Sequence, residues 1–236
     1  MKAIIGGTGV DRISNFHSEC REVPTPYGPV ELFVGRGVHS SLIFLPRHGS
    51  SHSVPPHLIN YRANITALKQ MGVDELISIY AVGSISDALK PGEIGTISDF
   101  VDFTGGGREH TFFTGGVSSV KHVGMDRAFD PDLTSALHAK DVTLKHGGVY
   151  VCTNGPRLET PTEIRMFASL GFDVVGMTAA TEVALAREVG IRVASLAYSI
   201  NWAAGVGPDE VLFIGDEQIE KLKDRMISLC LKVLGE

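Results

Sequence analysis

Apolar residues form two kinds of segment that alternate along the chain. Short runs rich in β-branched residues are typical of buried strands, and they occur at 3–7, 30–37, 41–49, 75–84, 95–103, 148–156, 173–178 and 192–201. Between several of these runs, apolar positions recur with the period of an amphipathic helix, at 56–71, 130–141, 161–170, 180–190 and 216–234. This order predicts mainly parallel strand pairing, in a sheet that helices cover on both faces.

The pattern continues without the kind of break that separates domains. The chain has 236 residues, 43% of them apolar, which suits one large α/β domain or two small ones. It contains no internal repeat, low-complexity tract or Pro/Ser-rich linker. We therefore predict one domain over residues 1–236. The glycine-rich segment 103–116, which holds Arg108, Glu109 and His110, has the composition of a lid inside that domain, and an ordinary surface hairpin is the alternative.

Charge and cysteine content narrow the classes of function. The formal net charge is −6 and no basic stripe is present, so nucleic acid and anionic membranes are not expected as partners. The three cysteines are widely spaced and form no C-x-x-C motif, as in reduced proteins. No apolar run approaches the length of a membrane span, and the N-terminal run is too short for a signal peptide. We predict a cytoplasmic location.

Small and polar residues stand at the ends of six predicted strands. Ligands of such sheets bind beyond the carboxyl ends of the strands, so these residues are expected to converge. They are Thr8, Arg47, His48, Ala81 to Ser84, Glu159, Met177, Thr178 and Asn201. A cation at a strand tip, such as Arg47, suits the binding of an anion.

Several of these residues also have plainer interpretations. The "GGTG" that contains Thr8 can be a phosphate-binding nest or a tight turn, and it lacks the full G-x-G-x-x-G of a dinucleotide site. Glu159 can simply precede a helix, since Thr160 and Glu163 form an N-terminal capping signature. Asn201 can be a turn residue. Local sequence leaves these alternatives open.

The histidines after the third strand raise two further possibilities. His48, His52 and His57 could bind a metal, but the Pro-Pro pair between them breaks any helix that would align them, and no local Asp, Glu or Cys joins them. We predict no metal site. The "RHG" tripeptide also opens the histidine phosphatases, in which the histidine is a covalent nucleophile. There it follows the first strand of the fold, whereas here it follows the third.

Six motifs together resemble the trimeric branch of the purine nucleoside phosphorylase superfamily. They are "IIGGTG", "PRHG…PPHLINYRANITALKQMG", "AVGSI", "NGPRLET", "GMTAATEVALAREVGI" and the terminal "SIN". Within that branch the chain is similar from end to end to the methylthioadenosine and methylthioinosine phosphorylases. The resemblance implies a homotrimer of α/β subunits, each with a mixed, partly barrel-like central sheet. It also implies phosphorolysis of a purine nucleoside to free base and ribose 1-phosphate, or its 5-methylthio analogue. Inorganic phosphate is then a co-substrate, and no metal or organic cofactor is needed.

The resemblance also assigns roles to particular residues. It implies phosphate contacts from Thr8, Arg47, His48, the backbone around Ala81, and Thr178. It implies nucleoside contacts from Met177 against the ribose and from Glu159, Asn201, Trp202 and Ala203 near the base. Of these residues, Asn201, Glu159 and His48 are predicted to serve catalysis.

Two positions predict the purine that is accepted. The 6-aminopurine enzymes of this branch carry a D-x-D pair after the last strand, where this chain has Asn201 and Ala203. In the 6-oxopurine enzymes an asparagine contacts O6 and N7 while a glutamate, here Glu159, accepts the N1 proton. Adenine N1 carries a lone pair that an ionised glutamate would repel. We therefore predict a 6-oxopurine nucleoside, above all S-methyl-5′-thioinosine and also inosine or guanosine. The alternatives are a methylthioadenosine phosphorylase and a non-catalytic protein that binds purine or phosphate.

The 5′ end of the nucleoside has two sets of candidate contacts. Val211, Leu212 and Ile214 are apolar enough to receive a methylthio group, or they belong to the core. The resemblance places His122 where a neighbouring subunit closes the 5′ pocket of its partner.

Overall fold

One mixed β-sheet forms the centre of the fold. The computed structural model describes residues 1–10, 13, 16–51, 53–116, 121–207 and 210–235. Within these ranges, eleven strands belong to the sheet and five α-helices accompany it. The predicted α/β class with a mixed central sheet is confirmed. Within the same ranges, no helix has both the length and the apolar surface needed to cross a lipid bilayer.

The elements are numbered in chain order. The strands are β1 (Lys2–Gly6), β2 (Ser18–Val23), β3 (Val30–Gly35), β4 (Leu42–Pro46), β5 (Glu75–Ser84), β6 (Ile94–Thr96), β7 (Asp99–Asp102), β8 (Lys145–His146), β9 (Val149–Cys152), β10 (Val174–Gly176) and β11 (Arg192–Trp202). The helices are α1 (Tyr61–Gln70), α2 (Pro131–Lys140), α3 (Pro161–Ser169), α4 (Ala179–Glu188) and α5 (Asp216–Leu234). Short 3₁₀ turns cover Gly37–His39, Pro56–Leu58 and Gly105–Gly107.

Strand β5 organises the sheet. It pairs in parallel with β1 on one side and with β11 on the other. Its last residues also pair antiparallel with β10. Strand β4 pairs in parallel with β1 and extends the sheet on that side. Because parallel strands end at the same edge of a sheet, the carboxyl ends of β1, β4, β5 and β11 lie together, and β10 joins them through β5. Pairing is antiparallel between β2 and β3, β3 and β4, and β6 and β11. It is parallel between β9 and β10, β7 and β9, and β6 and β8.

Helices cover both faces of the sheet, as predicted. Alternate residues of β1 point to opposite faces: Ile5 packs in the cluster that holds residues of α1 and α4, and Ile4 packs in the cluster that holds residues of α2 and α5. Burial of apolar side chains on both sides makes the central strands the most protected part of the chain. The strand ends are therefore a rigid support for a site.

Candidate active site

A cavity of about 260 Å³ opens at the carboxyl ends of β1, β4, β5, β10 and β11. Its lining includes nine residues predicted from the sequence: Thr8, Arg47, His48, Ala81, Glu159, Met177, Thr178, Asn201 and Ala203. These residues come from five separate strand ends and from the loop before α3. The structure therefore brings together most of the residues predicted to bind phosphate and nucleoside.

Two predicted site residues do not line this cavity. Trp202 follows Asn201 in β11, and successive side chains of a strand point to opposite faces, so Trp202 turns away and packs beside Gly207. His122 is exposed and stands outside the cavity of its own chain. Its predicted role concerns a neighbouring subunit.

Arg47 lines the cavity and is only 3% exposed. Its backbone N–H donates to the Gly6 carbonyl at 3.0 Å, which fixes it beside the end of β1. Its Nη1 donates to the Ile79 carbonyl at 2.7 Å. A side chain at Gly7 would collide with this guanidinium, so glycine is required there for a steric reason.

The charge of Arg47 is balanced by a buried carboxylate. Its Nε and Nη2 donate to the two oxygens of Glu182 at 3.0 and 2.9 Å. Glu182 is 1% exposed and also accepts from the Tyr80 hydroxyl at 2.9 Å. Burial disfavours the charged guanidinium, but Glu182 outweighs that effect, and the pKa of Arg47 is raised. Arg47 is thus a permanently charged donor held in a neutral pair, not the free cation that its place in the sequence predicts.

Neutral donors surround this pair. Helix α4 begins at Ala179, directly after Thr178, which lines the cavity. The backbone N–H of Thr178 itself donates to the Tyr150 hydroxyl at 3.2 Å. The Thr8 carbonyl accepts from the Tyr198 hydroxyl, which holds the turn after β1. A guanidinium beside two threonines is suited to an oxyanion.

His48 is oriented by the chain that follows it. Its Nδ1 lies 2.8 Å from the Val54 carbonyl, and because a carbonyl only accepts, Nδ1 carries the proton. The Val54 N–H donates back to the His48 carbonyl at 3.0 Å. His52, part of the metal hypothesis, lies outside the described residues. Among the residues that are described, no three His, Cys, Asp or Glu side chains form a cluster suited to a metal ion.

Glu159 lines the same cavity from the loop before α3. Thr160 caps α3 and shares a capping box with Glu163, so the helix N-terminus is satisfied without Glu159. The Glu159 carboxylate accepts from the Thr153 hydroxyl at 2.5 Å and lines the cavity. The interpretation of Glu159 as a mere helix-start residue is therefore not supported.

Asn201 belongs to a strand, not to a turn. It is buried in β11 opposite Gly83, just after a register irregularity at Ser199. Its Nδ2 donates to the Trp202 carbonyl at 2.8 Å. A side chain at Gly83 would press against Nδ2, so the glycine leaves room for the amide at the cavity wall.

Comparison with known proteins agrees with this geometry. The sequence profile of the Phosphorylase superfamily matches residues 2–234. The chain belongs to the Phosphorylase superfamily. The predicted family is confirmed.

Relatives of this phosphorylase carry informative names. It is 43% identical to a probable 6-oxopurine nucleoside phosphorylase from Dictyoglomus turgidum, over 99% of this chain and 92% of that protein. It is 42% identical to a probable S-methyl-5′-thioinosine phosphorylase from Methanothermobacter thermautotrophicus, over 95% and 81%. The methylthioadenosine phosphorylase from Schistosoma mansoni, solved in complex with adenine, superposes with a TM-score of 0.89 at 30% identity, over 98% of this chain and 89% of that one.

The segment predicted to contact the 5′ group differs in detail from the sequence prediction. Val211 lines it, but Leu212 is 65% exposed and Ile214 packs in the core with α5. Phe213, which was not predicted, lines the cavity beside Val211 and bridges to Asn201. The alternation of an extended segment would have paired residues 211 and 213 on one side.

Glu182 is the other residue that sequence reasoning missed. The sequence did contain a sign of its role, because Glu182 is a carboxylate on the apolar, buried face of α4 among Ala179, Val183 and Ala186. A charged residue on such a face requires a buried partner. Which cation it meets depends on the fold, since Arg47 lies 135 positions away.

Proposed function

We propose that this phosphorylase cleaves 6-oxopurine nucleosides with inorganic phosphate, with S-methyl-5′-thioinosine as the preferred substrate and inosine and guanosine as further substrates. The observation that carries the proposal is that Glu159 and Asn201 line the same cavity as Arg47 and Thr178. We assign the first pair to a base end and the second pair to a phosphate end. A carboxylate accepts a hydrogen bond from the N1–H of a 6-oxopurine and repels the lone pair at adenine N1. The names of the relatives at 42 to 43% identity support the same substrate class.

The chemistry follows from these two ends. A phosphate oxygen forms a bond to the anomeric carbon as the bond from that carbon to the purine nitrogen breaks, and the bonding pair leaves with the base. Negative charge develops on the purine, and the Asn201 amide stabilises it by donating a hydrogen bond. Met177 supports the ribose between the two ends. Holding the nucleophile and the anomeric carbon in line supplies much of the rate.

The phosphate end works through directed hydrogen bonds more than through net charge. Because Glu182 balances Arg47, the bound phosphate relies on the guanidinium N–H groups, the Thr8 and Thr178 hydroxyls and the backbone at Ala81. His48 contributes a further polar contact at the same end. Phosphate is a co-substrate in this reaction, and we propose no metal or organic cofactor.

The apolar wall supports the preference for a methylthio group. Val211 and Phe213 contribute apolar, uncharged surface to the cavity wall. We further propose that the enzyme is a cytoplasmic homotrimer. The exposed position of His122, outside its own cavity, supports a role for it in the 5′ pocket of a neighbouring subunit.

Phosphate dependence tests the proposed reaction. Release of hypoxanthine from methylthioinosine is expected only when phosphate is present, with formation of the sugar 1-phosphate. Equal rates in phosphate-free buffer would make the protein a hydrolase. Binding of hypoxanthine without any turnover would favour the non-catalytic alternative. Turnover of an aryl phosphate, with a phosphohistidine at His48, would favour the histidine phosphatase alternative.

A further inference from the structure

Arg108 is a buried cation that the reaction described above does not use. It follows the turn Gly105–Gly107, is 7% exposed, and does not line the cavity. Its guanidinium carbon lies 5.8 Å from the centre of the Tyr61 ring. Among the ion pairs between described residues, none includes Arg108. Burying a cation without a carboxylate is costly unless its donors are satisfied in another way.

Three hydrogen bonds satisfy this guanidinium, and all run to the backbone and side chains behind the cavity. Nε donates to the Asn154 side-chain oxygen at 2.9 Å. Nη1 donates to the Met177 carbonyl at 2.6 Å, and Nη2 donates to the Thr153 carbonyl at 3.2 Å. One planar group therefore joins the residues that follow β9 to a residue that follows β10.

Two of the residues that Arg108 contacts, Thr153 and Met177, connect it to the cavity. The Thr153 hydroxyl donates to the Glu159 carboxylate at 2.5 Å, so Arg108 holds the residue that orients Glu159. Met177 lines the cavity itself. The β9–β10 ladder ends at Gly176, so beyond it Arg108 continues the connection between the two strand ends.

The segment that carries Arg108 is fixed on both sides. Before Arg108, the Asn154 side-chain nitrogen donates to the Thr104 carbonyl. After it, the Thr111 hydroxyl and the Phe112 N–H donate to the Glu188 carboxylate, each at 2.7 Å. The lid composition of 103–116 thus corresponds to a strap packed behind the site, and its described residues do not line the cavity. A guanidinium on such a strap can hold its partners at fixed positions.

We infer that Arg108 is a positioning residue for the nucleoside: its three hydrogen bonds set Glu159, through Thr153, and Met177 at a fixed separation across the purine and the ribose. The inference rests on the proposed function, which assigns the base to Glu159. Arg108 touches neither substrate. Lysine keeps the charge but cannot reproduce the planar arrangement of donors, so it does not replace arginine here. Displacement of a substrate contact by about 1 Å can cost about 100-fold in rate.

The test compares Arg108→Lys with wild type and with a matched control, Arg62→Lys. Arg62 lies over the Tyr27 ring at 4.6 Å and pairs with Glu109 of the same strap, but it does not line the cavity. For each protein, kcat/KM for methylthioinosine and methylthioadenosine, KM for phosphate and the thermal midpoint are measured. Thr153→Val and the double variant Arg108→Lys/Thr153→Val complete the set. Thr153→Val keeps the carbonyl and removes the hydroxyl that reaches Glu159.

Arg108→Lys is expected to lower kcat/KM for methylthioinosine by about 10- to 100-fold. The preference of the enzyme for methylthioinosine over methylthioadenosine should become smaller. The KM for phosphate should change by less than about 3-fold. In the double variant, the preference for methylthioinosine over methylthioadenosine should be no smaller than in the more affected single variant. Both substitutions act on Glu159 through the Thr153 hydroxyl, so their effects on this preference should not add. Kinetics of Arg108→Lys that match Arg62→Lys would overturn the inference, as would an equal loss for both nucleosides and phosphate. A wild type without phosphate-dependent cleavage would overturn the proposed function and this inference with it.

Discussion

At the scale of single residues, the Arg47–Glu182 pair determines the charge of the proposed phosphate end of the cavity. Glu182 is buried with its two oxygens on Arg47, and the Tyr80 hydroxyl completes the group. Burial, followed by the charge of Glu182, raises the pKa of Tyr80 well above its usual value, so the phenol remains a neutral donor. The cavity therefore offers phosphate directed N–H groups without a large excess of positive charge.

Replacing Arg47 with alanine should affect both catalysis and stability. Loss of a charged hydrogen bond to phosphate is worth roughly 1.5–3 kcal/mol, so KM for phosphate should rise about 10- to 150-fold. The same change leaves Glu182 buried without its cation, which should lower the free energy of unfolding by about 3–5 kcal/mol. Steady-state kinetics and urea unfolding measure the two effects.

The double variant Arg47→Ala/Glu182→Gln separates these effects. Removing the buried charge should restore a large part of the stability, because no unpaired carboxylate remains. It should not restore the affinity for phosphate. Recovery of the wild-type phosphate KM in the double variant would mean that Arg47 acts only by neutralising Glu182.

At the scale of elements, the extended segment 211–214 contributes Val211 and Phe213 to the cavity wall that we propose receives the 5′ group. The Ile214 N–H donates to the Ile200 carbonyl at 2.8 Å, which aligns the segment with β11 and turns Val211 and Phe213 toward the cavity. Leu212 points outward and is largely exposed. Neighbouring residues of one segment therefore provide a test variant and a control.

Phe213→Ser should reduce discrimination at the 5′ position. Loss of apolar contact with a methylthio group should lower kcat/KM for methylthioinosine relative to inosine by about 10-fold or more. Leu212→Ser removes a similar apolar side chain from the exposed side and should leave the ratio unchanged. If both variants behave alike, the methylthio group lies elsewhere.

The N-terminus of α3 makes the stability depend on pH. Arg157 and the Thr160 backbone lower the pKa of Glu163 to about 2. A folded-state pKa below the unfolded value of 4.5 means that the ionised form stabilises the fold above about pH 4.5, and that this contribution is lost as pH falls toward 2. Glu163 is a surface group, so the gain is at most about 1 kcal/mol.

Glu163→Gln checks this pH dependence while keeping the length needed for the capping box. Its thermal midpoint should lie below that of wild type at pH 7. The difference should shrink between pH 4.5 and pH 3, as wild-type Glu163 loses its advantage. A difference that is constant over this range would show that the ion pair with Arg157 adds nothing.

The elements most accurately predicted from sequence are those with a strong local period. The five helices lie within about two residues of their predicted ends, apart from 56–71, where the consecutive prolines give a short 3₁₀ turn and Asn60 caps α1. Strand β2 was missed because its sequence, "SECREV", is a charged edge strand without apolar alternation. The two-residue β8 is too short for any pattern.

The site was partly predictable for a related reason. Strand ends gather at one edge of a parallel arrangement, so the polar residues that follow strands could be grouped before their positions were known. Contacts between distant parts of the chain carry no local signal. The Arg47–Glu182 pair and the bond from Arg108 to Met177, 69 positions apart, depend on how the sheet and the strap close.

At the scale of the whole molecule, the proposed trimer bears on whether one chain holds a complete site. His122 lies outside its own cavity, and the 5′ side has the apolar wall of Val211 and Phe213. Light scattering should give a mass about three times that of the 25.3 kDa chain. A monomer with full activity would contradict both the trimer and a shared site.

Base preference tests the central proposal most directly. The measurement is kcat/KM for methylthioinosine, methylthioadenosine, inosine, guanosine and adenosine at one phosphate concentration, for wild type and for Asn201→Asp. Wild type should favour the 6-oxopurines over the 6-aminopurines by a factor that can reach about 10⁴, and Asn201→Asp should narrow that ratio. An unchanged ratio in Asn201→Asp would remove Asn201 from base recognition. A wild type that cleaves methylthioadenosine faster than methylthioinosine would contradict the roles proposed for Glu159 and Asn201.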